Sequence, residues 1–314
     1  TDGRFAACVL DSNGLRPSRW VMTKNGYITA ASEIGVNDYS PEDVIAKGRV
    51  GPGQILVIDT QEGKILHSDD VADYLKVRQP YAEWVRENTS YLESKLSEDT
   101  AALLPLSDEE GEKHMKMFQV TFEETDQVFR PLAEKGAEGT GSMGDDTPIA
   151  VLSKHVRPLY DYFRQQFAQV TNPPIDPLRE AIVMSLGVEL GREESIFAEN
   201  PYLGTRIGLS GPVLSPRKYY ALKHNEFDEF PVVKFALNYK VAEENLQQAV
   251  QRICEEVAEA VRGGAVICIL SDHDIGQDKQ PVHILLAMGA VHNYLIEQGI
   301  RCDANLVAST GYAR

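Results

Sequence analysis

Asp272-His273-Asp274 sets one imidazole between two carboxylates, directly after the apolar run Ala265 to Leu270. One histidine between two carboxylates is a set of groups that can begin a metal site. The carboxyl end of a parallel strand is where α/β proteins gather these groups. No second His or Cys stands at ligand spacing, so an ordinary polar loop fits the triplet better than a metal centre. His292 shares a helical face with Leu285 and with Leu295 or Ile296, which predicts a packed core histidine rather than a ligand. Thr1 has the hydroxyl of an N-terminal nucleophile, whose own α-amine serves as base. It runs straight into what reads as mid-domain strand, so a chain cut from something longer explains it more simply.

Gly139-Thr140-Gly141-Ser142-Met143-Gly144 satisfies GxGxxG, which binds a dinucleotide only when a strand precedes it and a helix follows. Here the charged PLAEKGAE comes before, and Asp145-Asp146 come after to repel phosphate, so a tight structural loop is expected. The string Gln169-Val170-Thr171-Asn172-Pro173-Pro174-Ile175-Asp176-Pro177 differs in kind. Three prolines in five residues fix a rigid path, along which Gln169, Thr171, Asn172 and Asp176 place polar groups. A stiff crossover loop and the wall of a polar passage both fit, and composition does not separate them.

Cys8, Cys254, Cys268 and Cys302 lie far apart, with no CxxC and no histidine at ligand spacing. They read as thiols of a reducing compartment, which places the chain in the cytosol. The 314 residues suffice for two domains, and 31 Lys+Arg against 47 Asp+Glu give a net charge of −16. That charge repels nucleic-acid backbones and anionic membranes, and no stretch is apolar for long enough to span a bilayer.

The elements that must position these residues fall into two styles. From Arg4 to about Ser68, short β-type runs alternate with turn chemistry at Ser12-Asn13-Gly14 and Asn25-Gly26, predicting a β-meander. Ile55 to Ile58 is apolar throughout, as in a strand buried on both faces. Residues 70–138 change to helical and charged composition, and a boundary is expected near residue 90. Next come a helical stripe of Tyr160, Phe163, Phe167 and Val170, then a helix from Leu178 to about Leu190. Leu246, Val250, Ile253, Val257 and Val261 recur at helical spacing before Gly263-Gly264 and the buried strand Ala265 to Leu270. A helix from about Pro281 to Gln298 and a strand from Asn305 to Ala308 complete a pattern of βα crossings on a parallel sheet.

Six segments together resemble the large subunit of glutamate synthase: LDSNGLRPSRW (10–20), GSMGDDTPIAVLS (141–153), DYFRQQFAQVTNPPIDPLRE (161–180), LSDHDI (270–275), LLAMGAVHNYLIEQGIR (285–301) and ANLVASTGYAR (304–314). The resemblance covers essentially the whole chain, and the TNPPIDP and SMGDDTP strings are its most specific parts. It implies that residues 1–90 correspond to the β-rich C-terminal portion and linker of a class II (Ntn-type) glutamine amidotransferase domain. Residues 91–314 then correspond to the family's α/β central domain, with a mostly parallel sheet and truncated at its C-terminus.

In that family an N-terminal Cys attacks the glutamine amide, and ammonia crosses a tunnel to an FMN-containing synthase domain that makes glutamate from 2-oxoglutarate. The nucleophile, glutamine-clamping and oxyanion residues correspond to positions upstream of Thr1, and the FMN contacts and iron–sulfur cysteines to positions beyond Arg314. The resemblance therefore assigns no catalytic, cofactor-binding or metal residue to this chain. It places Thr171 and Asn172 on the loop lining the ammonia tunnel. FMN and an iron–sulfur cluster belong to the parent enzyme, an oxidoreductase acting on CH-NH2 donors, with the rest of the large subunit, a small subunit or ferredoxin as partners and the cytoplasm as location. Ser12 and His273 depart from the family's usual arginines, which affects local contacts. A free-standing central-domain scaffold or interaction protein without catalysis is the competing class.

Overall fold

The computed structural model describes residues 1–11, 14–33, 35–92, 106–139, 148–155, 157–163, 184–195, 197–224 and 229–313. The chain divides into two compact units, one of Thr1–Glu87 with Val170–Leu186, the other of Asn88–Gln169 with Gly187–Arg314.

The first unit holds β1 (Phe5–Val9), β2 (Ser18–Thr23), β3 (Ile28–Ala31), β4 (Val44–Val50), β5 (Ile55–Asp59) and β6 (Lys64–Leu66), followed by the helix Ser68–Arg78. These strands form two three-stranded antiparallel sheets, ordered β1-β5-β6 and β3-β2-β4, in place of the expected meander. The reason lies in the loop after β1. The Asp11 carbonyl accepts from the N–H groups of Gly14 and Gly53, and Leu10 N–H donates to the Gln54 carbonyl, so β1 is carried alongside β5 instead of β2. Gly26, at φ 80°, turns the β2–β3 hairpin as Asn25-Gly26 predicts. Leu56 and Val57 are both buried, so β5 is covered on both faces. Leu10, Val50 and Leu56 form the core, with Trp20 packed against it and close enough to β4 that only a glycine fits at position 48.

Arg4 and Asp59 fasten the open end of the β1–β5 pair through a 2.6 Å contact from Nη2 to Oδ2. Asp59 also accepts from the N–H groups of Gln61 and Glu62 at 3.0 and 3.1 Å. The Arg4 hydrogen bonds, with help from these N–H donors, hold the Asp59 pKa down at about 2. A carboxyl whose pKa is lower in the folded chain stabilises it above its unfolded pKa of about 3.9, and that contribution is lost as pH falls towards 2. Asp59→Asn is therefore expected to lower the melting temperature of this unit at pH 7. The gap from the parent chain should close between about pH 4 and pH 2. A gap of constant size across that range, read by scanning calorimetry, would contradict the role given to the ion pair.

The second unit opens with β7 (Thr89–Tyr91), the helix Asp108–Met117 and a continuous helical run through Phe122–Glu124, Thr125–Phe129 and Arg130–Lys135, whose middle segment is a π-turn. Then come β8 (Val188–Leu190), β9 (Arg206–Leu209), the helix Pro216–Lys223, β10 (Val232–Ala236), β11 (Asn238–Lys240), the helix Leu246–Arg262, β12 (Ile267–Ser271), β13 (Lys279–Pro281), the helix Ile284–Glu297 and β14 (Asn305–Ser309). The helix expected to reach Leu190 does not, because past Gly187 the chain pairs antiparallel with β9 and buries Leu190. Residues 178–183 of that expectation lie outside the described ones.

β10, β12 and β14 form a parallel sheet with β12 at its centre, joined by the two long helices as the βα pattern predicts. Cys268 and Leu270 face a core built with those helices, while Ile267 and Ile269 face another with Leu190, Ile207, Leu209 and Leu222. Burial of all five β12 residues explains its unbroken apolar run. Asn245 caps the helix Leu246–Arg262 by accepting from Gln248 N–H at 3.0 Å, and Gly264, at φ 101°, releases the chain into β12. Ala249, Cys254 and Ala258 complete the buried face, whereas Leu246 is exposed.

Candidate functional site

Asp272 is the first residue past β12, and this puts a carboxyl group at the carboxyl end of the parallel sheet with no exposure to solvent. It accepts hydrogen bonds from the Thr310 hydroxyl and, at 3.2 Å, from Gly311 N–H, while its own N–H donates to the Ser309 carbonyl at 3.3 Å. The carboxylate thus ties the end of β12 to the loop leaving β14. Asp274 turns elsewhere, to Lys279 Nζ at 2.5 Å. The two carboxylates flanking His273 diverge to separate partners and do not converge on the imidazole.

His273 begins a line of rings. Its centroid lies 6.1 Å from His114 and 6.3 Å from Phe118; Phe118 meets Tyr312 edge-on at 5.0 Å, and Tyr312 lies 4.1 Å from His283. Gly311 is required in this line, since a Cβ there would overlap the buried Phe118 ring. Desolvation holds the His273 pKa below the ordinary imidazole value; Asp272 opposes that shift, and His114 and Lys234 add to it. The imidazole is therefore mostly uncharged at neutral pH.

Asn238 opens β11 and Ser271 closes β12, and next to Asn238 the Leu237 N–H donates to the Ser271 carbonyl at 2.8 Å. Both side chains are buried, and neither the Asn238 amide nor the Ser271 hydroxyl has a hydrogen-bond partner among the described residues. A buried amide and a buried hydroxyl can each hydrogen-bond a small polar molecule, but among the described residues the Ser271 hydroxyl meets no base that would make it a nucleophile. Sequence reasoning missed this pair because PVVKFALNYK (231–240) was not read as strand. Its β-branched run after a proline was the available signal.

The other expected positions are scattered. His292 is exposed, contrary to the packed position expected, and its Nδ1 accepts from Arg301 Nε at 3.0 Å. The buried side of its helix is Ile284, Ala287, Val291 and Leu295; His292 points away with Leu285 and Ile296, each 52% exposed. Thr1 is exposed, and its hydroxyl accepts from Gly3 N–H. Of the glycine-rich loop only Gly139 is described, set so close to the Gln127 carbonyl that a Cβ would clash. Thr171, Asn172 and Ser12 lie outside the described residues.

The cysteines do not fit an iron–sulfur cluster, which needs thiolates gathered at one place. Cys254 and Cys268 are buried in the core with thiols pushed up by desolvation, Cys268 to about 11, while Cys302 is exposed and Cys8 sits 3.1 Å from the Ser18 hydroxyl in the first unit. Among the described residues no group of three His, Cys, Asp or Glu could hold a metal ion, and no helix is long and apolar enough to cross a membrane.

Residues 113–314 match the family described as the glutamate synthase central domain, and residues 1–84 match class II glutamine amidotransferases. The chain belongs to the glutamate synthase family. It is 37% identical over 312 residues to the glutamate synthase [NADPH] large chain of Azospirillum brasilense, covering 99% of this chain and 20% of that one. Identity to the chloroplastic ferredoxin-dependent glutamate synthase of Oryza sativa subsp. japonica is 36% over 313 residues, 99% of this chain and 19% of the relative. Identity to the glutamate synthase [NADH] of Schizosaccharomyces pombe is 36% over 324 residues, or 15% of that protein. The chain thus spans a fifth or less of the length of these glutamate synthases. Within the glutamate synthase central domain, the strand-end cluster of Asn238, Ser271 and Asp272 lies inside the matched residues.

Proposed function

We propose that this chain works as the joint between glutaminase and synthase in a glutamate synthase large subunit, an enzyme that makes glutamate from glutamine and 2-oxoglutarate. The observation that carries this reading is the succession, in one chain, of a class II amidotransferase match and a central-domain match, with 36–37% identity to relatives over 99% of its length. Residues 1–90 serve as the end of the glutaminase domain, and residues 91–314 as the α/β central domain with its largely parallel sheet.

Its own part is support and conduit. FMN and the iron–sulfur cluster are held by other parts of the enzyme, in keeping with the burial of Cys254 and Cys268 in the core, and no chemical step is routed through this chain. Its partners are the remaining domains of the large subunit, with a small subunit or ferredoxin delivering electrons in the cytoplasm or, as the name of the rice relative suggests for that protein, in a plastid.

Thr171 and Asn172 form the wall of the ammonia passage. A hydroxyl and an amide can hand neutral ammonia from one hydrogen bond to the next, whereas a carboxylate would hold it as ammonium. In the full-length enzyme, Thr171→Val keeps the volume but removes the hydroxyl. Glutamine-dependent synthesis should then fall more than synthesis from external ammonia. Asn172→Leu should block passage more severely, against neighbours Pro173 and Pro174 that cannot yield. Glutamine consumed should exceed 2-oxoglutarate converted in both variants. A retained one-to-one ratio at normal rates would show the pair to be structural only.

A further inference from the structure

At the end of the second unit's parallel sheet opposite Asp272, where Pro231 and Val266 lead into β10 and β12, lies a cavity of about 350 Å3. Its size is at the small end of the range for ligand cavities, about 300–1,000 Å3. Phe230 and Val266 give it an apolar floor, and four charged side chains line it: Arg192, Arg206, Glu194 and Glu229. Two guanidiniums thus share this cavity, on a chain whose net charge is −16.

Arg206 is held in place by backbone. Its stem lies against Gly191, where a Cβ would come within 2.8 Å of Arg206 Cδ, and its Nη1 donates to the Thr205 carbonyl at 2.9 Å. Among the described residues it forms no ion pair, although half-buried. Arg192 reaches Asp303 only at 3.7 Å. Glu194 is fixed by Asn200 Nδ2 at 2.8 Å, and neither Glu194 nor Glu229 pairs with a cation among the described residues. Charges of both signs therefore share a wall without neutralising one another.

We propose that this cavity binds an acidic α-amino acid. Two carboxylates match the two guanidiniums, whose planar fork suits carboxylate oxygens, and the single ammonium matches Glu194 and Glu229. A dicarboxylate lacking the amine would leave those glutamates facing like charge, which is the basis for selectivity. On the function proposed above, the ligand would be the reaction's product and the cavity a place for feedback. Binding itself does not depend on that reading.

The test is calorimetric titration of the 314-residue chain with L-glutamate and with 2-oxoglutarate, which keeps both carboxylates and lacks the ammonium. L-glutamate should bind, with 2-oxoglutarate, Arg206→Gln and Glu229→Gln each weaker by about tenfold or more. Glu229 is exposed, so Glu229→Gln keeps the fold and carries the test if circular dichroism shows Arg206→Gln to be unfolded. No heat from L-glutamate, equal binding of 2-oxoglutarate, or undiminished binding in the folded variants would overturn the proposal. None of these outcomes alters the ratio of glutamine consumed to 2-oxoglutarate converted, so the two readings fail separately.

Discussion

Ile269→Ala is expected to lower the stability of the second unit by about 2–5 kcal/mol, the range for removing buried aliphatic volume. Ile269 is fully buried in the central strand β12, packed with Ile267, Ile207, Leu209 and Leu222. Neighbouring Cys268 and Leu270 face the other core, so strand β12 is pressed from both sides and cannot shift to fill the gap. For a unit of this size each kcal/mol lowers the midpoint by about 2–4 °C. Scanning calorimetry should therefore show the transition of this unit moving well below that of the parent. Leu246→Ala is the control: Leu246 is 44% exposed, and its loss should cost no more than about 0.5 kcal/mol. Equal losses from the two substitutions would mean that β12 is not the centre of a packed double core.

Asp272→Ala should be nearly as damaging for a different reason. Removing the fully buried carboxyl group takes the acceptor from the partly buried Thr310 hydroxyl and Gly311 N–H, and the two hydrogen bonds together are worth about 1–3 kcal/mol. The loop it releases carries Gly311 and Tyr312, whose contacts with Phe118 and His283 hold the ring line together. The near-ultraviolet dichroism of Tyr312 and Phe118 should weaken with the fall in stability, while Asp272→Asn, which keeps an acceptor oxygen, should lose less. Unchanged dichroism in Asp272→Ala would separate the carboxylate from the ring line.

The strand-end position of Asp272 was legible because Ala265 to Leu270 is an unbroken apolar run and Gly263-Gly264 marks the helix end before it. What Asp272 and Asp274 do was not legible. Their partners, Thr310 and Lys279, are chosen by a parallel pairing with β14 and by the turn in which Lys279 N–H donates to the Gly276 carbonyl, neither of which leaves a periodic trace. His292 shows the same limit on a helix. Periodicity placed it with Leu285 and with Leu295 or Ile296, but which face of a largely apolar helix turns inward depends on what packs against it. In the first unit, turn chemistry marked the β2–β3 hairpin at Asn25-Gly26, yet the partner of β1 was decided by hydrogen bonds from Gly14 and Gly53 to a single carbonyl.

The sequence by itself determined the family, through strings such as TNPPIDP and SMGDDTP, and the βα pattern of the C-terminal half, through helical periods closed by glycines and followed by apolar strands. These are local or near-local properties, written in composition and spacing. Only the tertiary structure decided that Asn238 and Ser271 are buried with no hydrogen-bond partner among the described residues, and that Arg206 lies on Gly191 in a cavity also lined by carboxylates with which it forms no ion pair among those residues. Those placements join residues far apart in the chain, and burial and charge at a point in space depend on everything packed around it.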